Sequence, residues 1–147
     1  MRPVRIAQLG PGDDQKVLEA SGLFDGPADA EATRRFLSEG NHHLLVAYED
    51  DAPIGFVSGV EMTHPDKGHE MFLYELSVDE GHRRQGVGTA LVNTLSDLAR
   101  DAGCYGMWVL TDDTNHEALG AYVAAGGRRE SENVMLGWLY GGDASAA

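Results

Sequence analysis

The stretch Leu76-Ser77-Val78-Asp79-Glu80-Gly81-His82-Arg83-Arg84-Gln85-Gly86-Val87-Gly88-Thr89-Ala90-Leu91 constrains this chain most. A strand runs into a loop, and the loop opens an amphipathic helix at two glycines one residue apart. Val87, Leu91, Leu95, Leu98 and Ala102 share one face at helical spacing, which predicts a helix from Gly86 to Ala102 with Gly103 as its stop. Free N–H groups at a helix N-terminus, together with the helix dipole, make an anion site. Glycine lets a phosphate approach the backbone, and Arg83 and Arg84 add positive charge. A glycine pair alone is more often an ordinary turn. The chain has neither the lysine-containing P-loop nor Gly-x-Gly-x-x-Gly, so nucleoside triphosphates and dinucleotides lose ground as ligands.

The rest of the chain reads as one α/β domain over 1–147. Val4–Leu9 alternates and ends at Gly10-Pro11-Gly12, a strand and a turn. A short helix from Asp13 or Asp14 to Ala20 follows, then a helix from Asp29 to Glu39. His43–Glu49 and Ile54–Met62 make a hairpin across Asp50-Asp51-Ala52-Pro53, and Met71–Val78 a third strand. Beyond the central helix come a strand over Tyr105–Thr111, a helix over His116–Ala125 and a closing strand over Asn133–Tyr140. Residues 141–147 are small and polar, and fraying is expected there.

Charge narrows the partners. Eleven Lys and Arg stand against 24 Asp and Glu, a net charge of −13. That field opposes duplex nucleic acid and anionic lipid and draws in a small cation, although solubility alone also explains it. No apolar run approaches the ~20 residues that span a bilayer, and the first residues do not lead into a signal-peptide core; a cytoplasmic protein is the expectation. The single cysteine, Cys104, excludes an internal disulfide and any zinc site of several cysteines, and is expected to be a buried structural thiol. His42 and His43 read as a strand edge, His64 and His69 as loop residues, and no His-x-x-x-His helix occurs, so no metal is expected.

Arg83-Arg84-Gln85-Gly86-Val87-Gly88 matches the Arg/Gln-x-x-Gly-x-Gly/Ala signature of the GNAT superfamily, and the order of elements resembles that superfamily over nearly the whole chain. The resemblance implies the acyl-CoA N-acyltransferase fold, a mixed, mostly antiparallel central sheet flanked by helices. It implies acetyl-CoA as co-substrate, with the pyrophosphate on the loop Arg83–Gly88 and further contacts from Leu76, Val78, Thr89 and Asn115. Val57–Gly68, Glu70–Leu76 and Gly103–Asp112 are similar to the aminoglycoside 3-N-acetyltransferase branch. The implied reaction is direct acetylation of the 3-amine of an aminoglycoside antibiotic, conferring resistance, with Glu75 as base and Tyr122 as proton donor to the thiolate. The resemblance further implies a splayed strand pair, with the backbone N–H near Val78 holding the thioester carbonyl, and a homodimer.

Each role has a plainer competitor. Glu75 could be an exposed strand carboxylate and Tyr122 a core tyrosine. Asp112 and Asp113 suit both a helix N-cap and a polycationic substrate, with Asp25 as a weaker substrate-side candidate. A polyamine or peptide amine is the alternative substrate, and an acetyl-CoA-binding module without turnover is the alternative function.

Overall fold

The computed structural model describes residues 2–130 and 132–141. Five strands form one sheet in the order β1 (Val4–Leu9), β2 (His42–Glu49), β3 (Ala52–His64), β4 (Gly68–Val78) and β5 (Met107–Val109). The first four pair antiparallel, and β5 joins β4 in parallel. The expected mixed, mostly antiparallel sheet is therefore present. The helices are α1 (Asp14–Glu19), α2 (Ala30–Ser38), α3 (Val87–Asp101) and α4 (His116–Ala124).

Alternation along the strands feeds two cores, one on each face of the sheet. Leu45, Ala47, Val57, Met71 and Leu73 meet Val87, Leu91, Leu95 and Ala99 of α3. Leu44, Val46, Tyr48 and Phe56 face the other way, against Val17 of α1 and Leu37 of α2. The α3 face is unusually close: a Cβ on Gly59 would lie 3.0 Å from Leu95 Cδ2 and 3.0 Å from Met71 Sδ.

One irregularity in the sheet decides which way Glu75 points. Ser58 pairs with Glu75 but Gly59 pairs with Leu73, so Tyr74 is an extra residue in β4. Such a bulge shifts side-chain alternation by one. Met71 and Leu73 face α3, and after the bulge it is Leu76 and Val78 that pack on that core. Glu75 is thereby turned to the opposite face, on which its partner strand carries Phe56.

Several expectations need correction. Asn133–Tyr140 makes no strand: Val134 is 84% exposed, Trp138 71% and Tyr140 88%. Its apolar residues mark a segment that gains from burial, but composition names no edge for it to pair with. Pro53 lies within β3, opposite Tyr48, and the hairpin turns at Asp50 and Asp51, with Asp50 at φ 54°. β5 is three residues, shorter than Tyr105–Thr111. His64 and His69 are strand residues, and His43 is buried inside the sheet. Of the expected frayed tail, residues 142–147 lie outside the described residues.

Candidate active site

β4 ends at Val78 and a 3-10 turn over Glu80–His82 leads to Gly86, the N-cap of α3. Gly86 has φ 82°, with open space where a Cβ would stand, so its need for glycine is conformational. No side chain caps α3, and its first amides are left to a ligand or water. Arg84 also adopts positive φ, 62°, and its side chain is exposed. Gly88 is required for a different reason. A Cβ there would come within 3.3 Å of Ala121 Cβ, so this glycine lets α4 approach α3.

Arg83 Nε donates to the Val78 carbonyl at 3.1 Å and pairs with Glu117 Oε2 at 3.2 Å. It thus ties the loop to the first turn of α4. The amide of Asp79 donates to Ile54, across the sheet. Alternation along an antiparallel pair then turns the Val78 N–H and carbonyl away from β3. Since β5 pairs with β4 only at Met71–Leu73, the outer backbone edge of β4 beyond Leu73 is left open among the described residues.

Between that edge, the loop, and the starts of α3 and α4 lies a cleft of about 560 Å³. Leu76, Val78, Arg83, Arg84, Gly86, Val87, Gly88, Thr89 and Asn115, all expected to contact the co-substrate, line it. Gln85 is exposed and does not. His82 also lines the cleft, although the sequence pattern did not single it out. Asp79 bonds its Nδ1 at 2.8 Å and, with Glu49, raises the imidazole pKa above its ordinary value. Its signal was local, an Asp three residues before a His in a turn. Glu117, the partner of Arg83, carried no such signal, because that contact joins two separate elements.

Glu75 is partly buried and does not line this cleft, whose lining begins at its neighbour Leu76. Burial first, and the Asp25 carboxylate second, push its pKa above the usual carboxylate range. Asp25 is brought to that face by Phe24, whose ring meets Phe56 edge-on at 4.8 Å. Tyr122 of α4 approaches from the α3 side, and burial followed by the charge of Glu75 raises its pKa too. Tyr122 therefore feels the charge of Glu75, but it lines the separate hollow beside β5 and not the cleft. Asp112 and Asp113 are exposed in the β5–α4 connection and line neither this cleft nor the hollow beside β5. Neither caps α4; Asn115 does, its Oδ1 accepting from Ala118 N at 3.2 Å. The helix begins at His116, as expected, which puts its N-cap at Asn115 and leaves both aspartates outside the capping position.

The model of the acetyltransferase (GNAT) family matches residues 16–126. The chain belongs to that family. This GNAT protein is 29% identical to human N-acetyltransferase 8B over 110 residues, 74% of this chain and 48% of that protein. It spans about half the length of the curated relatives it matches. Its fold is similar to an aminoglycoside acetyltransferase, meta-AAC0020, from an uncultured soil metagenomic sample, solved in complex with sisomicin. The TM-score is 0.85 at 20% identity, over 93% of this chain and 96% of that one. AAC(6')-Iy in complex with the bisubstrate analog CoA-S-monomethyl-acetylneamine superposes with a TM-score of 0.79 at 20% identity, over 94% and 99%. GNAT proteins use acetyl-CoA, and the uncapped α3 amides, Gly86 and the open β4 edge fit an elongated phosphate-bearing thioester. Among the described residues no helix is long and apolar enough to cross a membrane.

Proposed function

We propose that this GNAT protein acetylates a primary amine of a polycationic small molecule directly from acetyl-CoA, an aminoglycoside taken at its 3-amine. The observation that supports this reading is the Glu75–Tyr122 pair, two half-buried titratable groups of which Tyr122 feels the charge of Glu75, Glu75 lying immediately before the cleft-lining Leu76. An ammonium substrate gives a proton to Glu75, and the freed lone pair attacks the thioester carbonyl carbon. The outward Val78 N–H holds the carbonyl oxygen as negative charge grows there. The C–S bond breaks, sulfur takes the phenolic proton of Tyr122, and the second proton lost by the acylated nitrogen restores the phenol through water. Its raised pKa keeps Tyr122 protonated at neutral pH, as a donor must be. Pyrophosphate rests on the α3 amides and Arg84.

The net charge of −13 supports a cationic substrate, with Asp25 beside Glu75 and with Asp112 and Asp113 gathering charge near the β5–α4 connection. A polyamine or peptide amine on the same machinery is the second reading; the N-acetyltransferase 8 relatives support N-acetylation as such and select neither substrate. A second copy covering the exposed Val134–Tyr140 run is part of the proposal, and sedimentation velocity tests it.

Thiol release decides among these. Gentamicin-type and kanamycin-type amines, polyamines and peptides are offered in turn with acetyl-CoA, and the acetylated nitrogen is located by NMR. Turnover confined to aminoglycosides at the 3-amine supports the first reading, and turnover of peptides or polyamines alone supports the second. Co-substrate binding without thiol release from any amine leaves a binding module.

A further inference from the structure

At the end of the sheet away from the cleft, a row of polar side chains lies on the face that carries α3. Gln8 Nε2 donates to His43 Nδ1 at 2.9 Å, which leaves the proton of His43 on Nε2, where it meets Glu61 Oε2. Glu61 Oε1 takes a second imidazole, His69 Nε2, at 2.6 Å, and His69 Nδ1 meets Thr63 Oγ1 at 2.8 Å. The strand register sets Thr63 opposite His69 and brings Glu61 two pairs further in, on the same face. Glu61 is 14% exposed and His43 10%, so both are held in place.

The thiol of Cys104 joins this row from the segment after α3. One ligand atom each from Glu61, His69 and Cys104 lie within 4.8 Å of one another. Ligands around a tetrahedral zinc-class ion stand about 3.3–3.8 Å apart, given metal–ligand bonds of about 2.0–2.3 Å. Closing that difference takes a movement on the order of 1 Å, within the reach of side-chain torsions. Thiolate, imidazole and carboxylate together suit zinc and its neighbours and do not suit magnesium or calcium.

We propose that Glu61, His69 and Cys104 bind a zinc-class divalent cation, with His43, Gln8 and Thr63 as the hydrogen-bonded support that orients them. The proton balance follows from the partners already present. His69 moves its proton to Nδ1, where Thr63 Oγ1 accepts it, and the freed Nε2 lone pair goes to the metal. Glu61 gives Oε1 and keeps Oε2 on His43. Cys104 releases one proton to solvent and binds as thiolate, and water fills the fourth position. The hollow of about 330 Å³ beside β5, lined by Cys104, Tyr105 and Trp108, opens on the thiol side of the site. His69 precedes Glu75 by six residues along β4, roughly 20 Å at strand rise, so this ion would clamp β3 and β4 to the end of α3 and take no part in acetyl transfer.

The test uses Co²⁺ as an optical stand-in, added to the full chain after treatment with a chelator. The expected spectrum combines a thiolate-to-cobalt charge-transfer band in the near ultraviolet with visible bands of tetrahedral intensity. One equivalent of Zn²⁺ should remove both and raise Tm. Cys104→Ser should lose the charge-transfer band, His69→Gln should weaken binding at least tenfold, and His43→Gln about 10–100-fold, as outer partners do. Circular dichroism checks that each variant is folded. Equilibrium dialysis of the wild-type chain keeps the proposal falsifiable even if a variant unfolds. Absence of stoichiometric uptake at micromolar metal overturns it, and so does cobalt binding without the charge-transfer band. Neither outcome depends on whether the protein acetylates anything.

Discussion

Replacing Gly86 separates two things that the anion cradle requires, a left-handed turn and a correctly aimed helix end. Nothing stands within 4 Å of a Cβ at Gly86, so Gly86→Ala introduces no clash and acts only through φ 82°. An ordinary L-residue in that region costs about 1–2 kcal/mol. If the turn is kept, the whole cost falls on stability, and Tm drops by roughly 2–8 °C at about 2–4 °C per kcal/mol for a domain near this size. If the turn relaxes, stability recovers while the α3 amides lose their aim, and coenzyme A binding weakens by up to about 5–30-fold, since 1.4 kcal/mol is tenfold. The two losses should therefore sum to about 1–2 kcal/mol however they divide. Thermal melts and calorimetric titration with coenzyme A, run on the same preparations, measure both. Gly86→Asn should recover most of the loss, because Asn visits the left-handed region more readily than Ala. Wild-type values for Gly86→Ala in both assays refute the reasoning, as does an Asn variant no better than Ala.

Glu75→Gln should lower kcat by about 10²–10⁴-fold, the usual range for a lost general base. In the parent enzyme the rate should rise with pH only above the ordinary carboxyl range, because Glu75 is a base only once its raised pKa is passed; a flat profile with near-normal turnover returns Glu75 to a structural role. A carboxyl pKa raised on folding costs stability above the unfolded pKa, so the same variant should melt higher than the parent at neutral pH, a shift absent at acid pH. Asp112→Asn with Asp113→Asn should weaken aminoglycoside binding more than coenzyme binding and flatten its salt dependence, attraction being screened over about 8 Å at physiological ionic strength; equal salt slopes would assign these residues to solubility. Gly59→Ala should cost about 1–3 kcal/mol by overpacking against Leu95 and Met71, and an unchanged Tm would show that α3 can lift freely.

What could be read from the sequence was what is local. The glycine loop, the strand before it and the stripe of α3 from Val87 to Leu98 are each specified by neighbours within a few residues and are in place; Ala102 is exposed past the helix end, and Val92 and Ala99 complete the buried face. The reasons for the glycines were only half legible: Gly88 serves the approach of Ala121, a contact between separate elements. The grouping of Glu61, His69 and Cys104 is non-local in the same way, joining two strands and a segment beyond α3. Asn133–Tyr140 misled because an apolar run predicts a wish for burial and not the place where burial occurs. Asp112 and Asp113 read as caps by residue type alone, although the expected start at His116 already put the N-cap at Asn115, where the structure has it.

Tyr74 acts in β4 as an inserted letter acts in a reading frame. Its side chain is 69% exposed and can be exchanged cheaply. Deleting it would make the pairs Gly59–Leu73 and Ser58–Glu75 consecutive, so that Leu73 and Leu76 keep facing α3 and Glu75 keeps the opposite face, as ordinary alternation requires. What the deletion would remove is the local bend and extra twist that a bulge gives its strand, just where β4 approaches the cleft. The position therefore governs the aim of the strand end and not the assignment of its faces, a distinction that a substitution scan would miss.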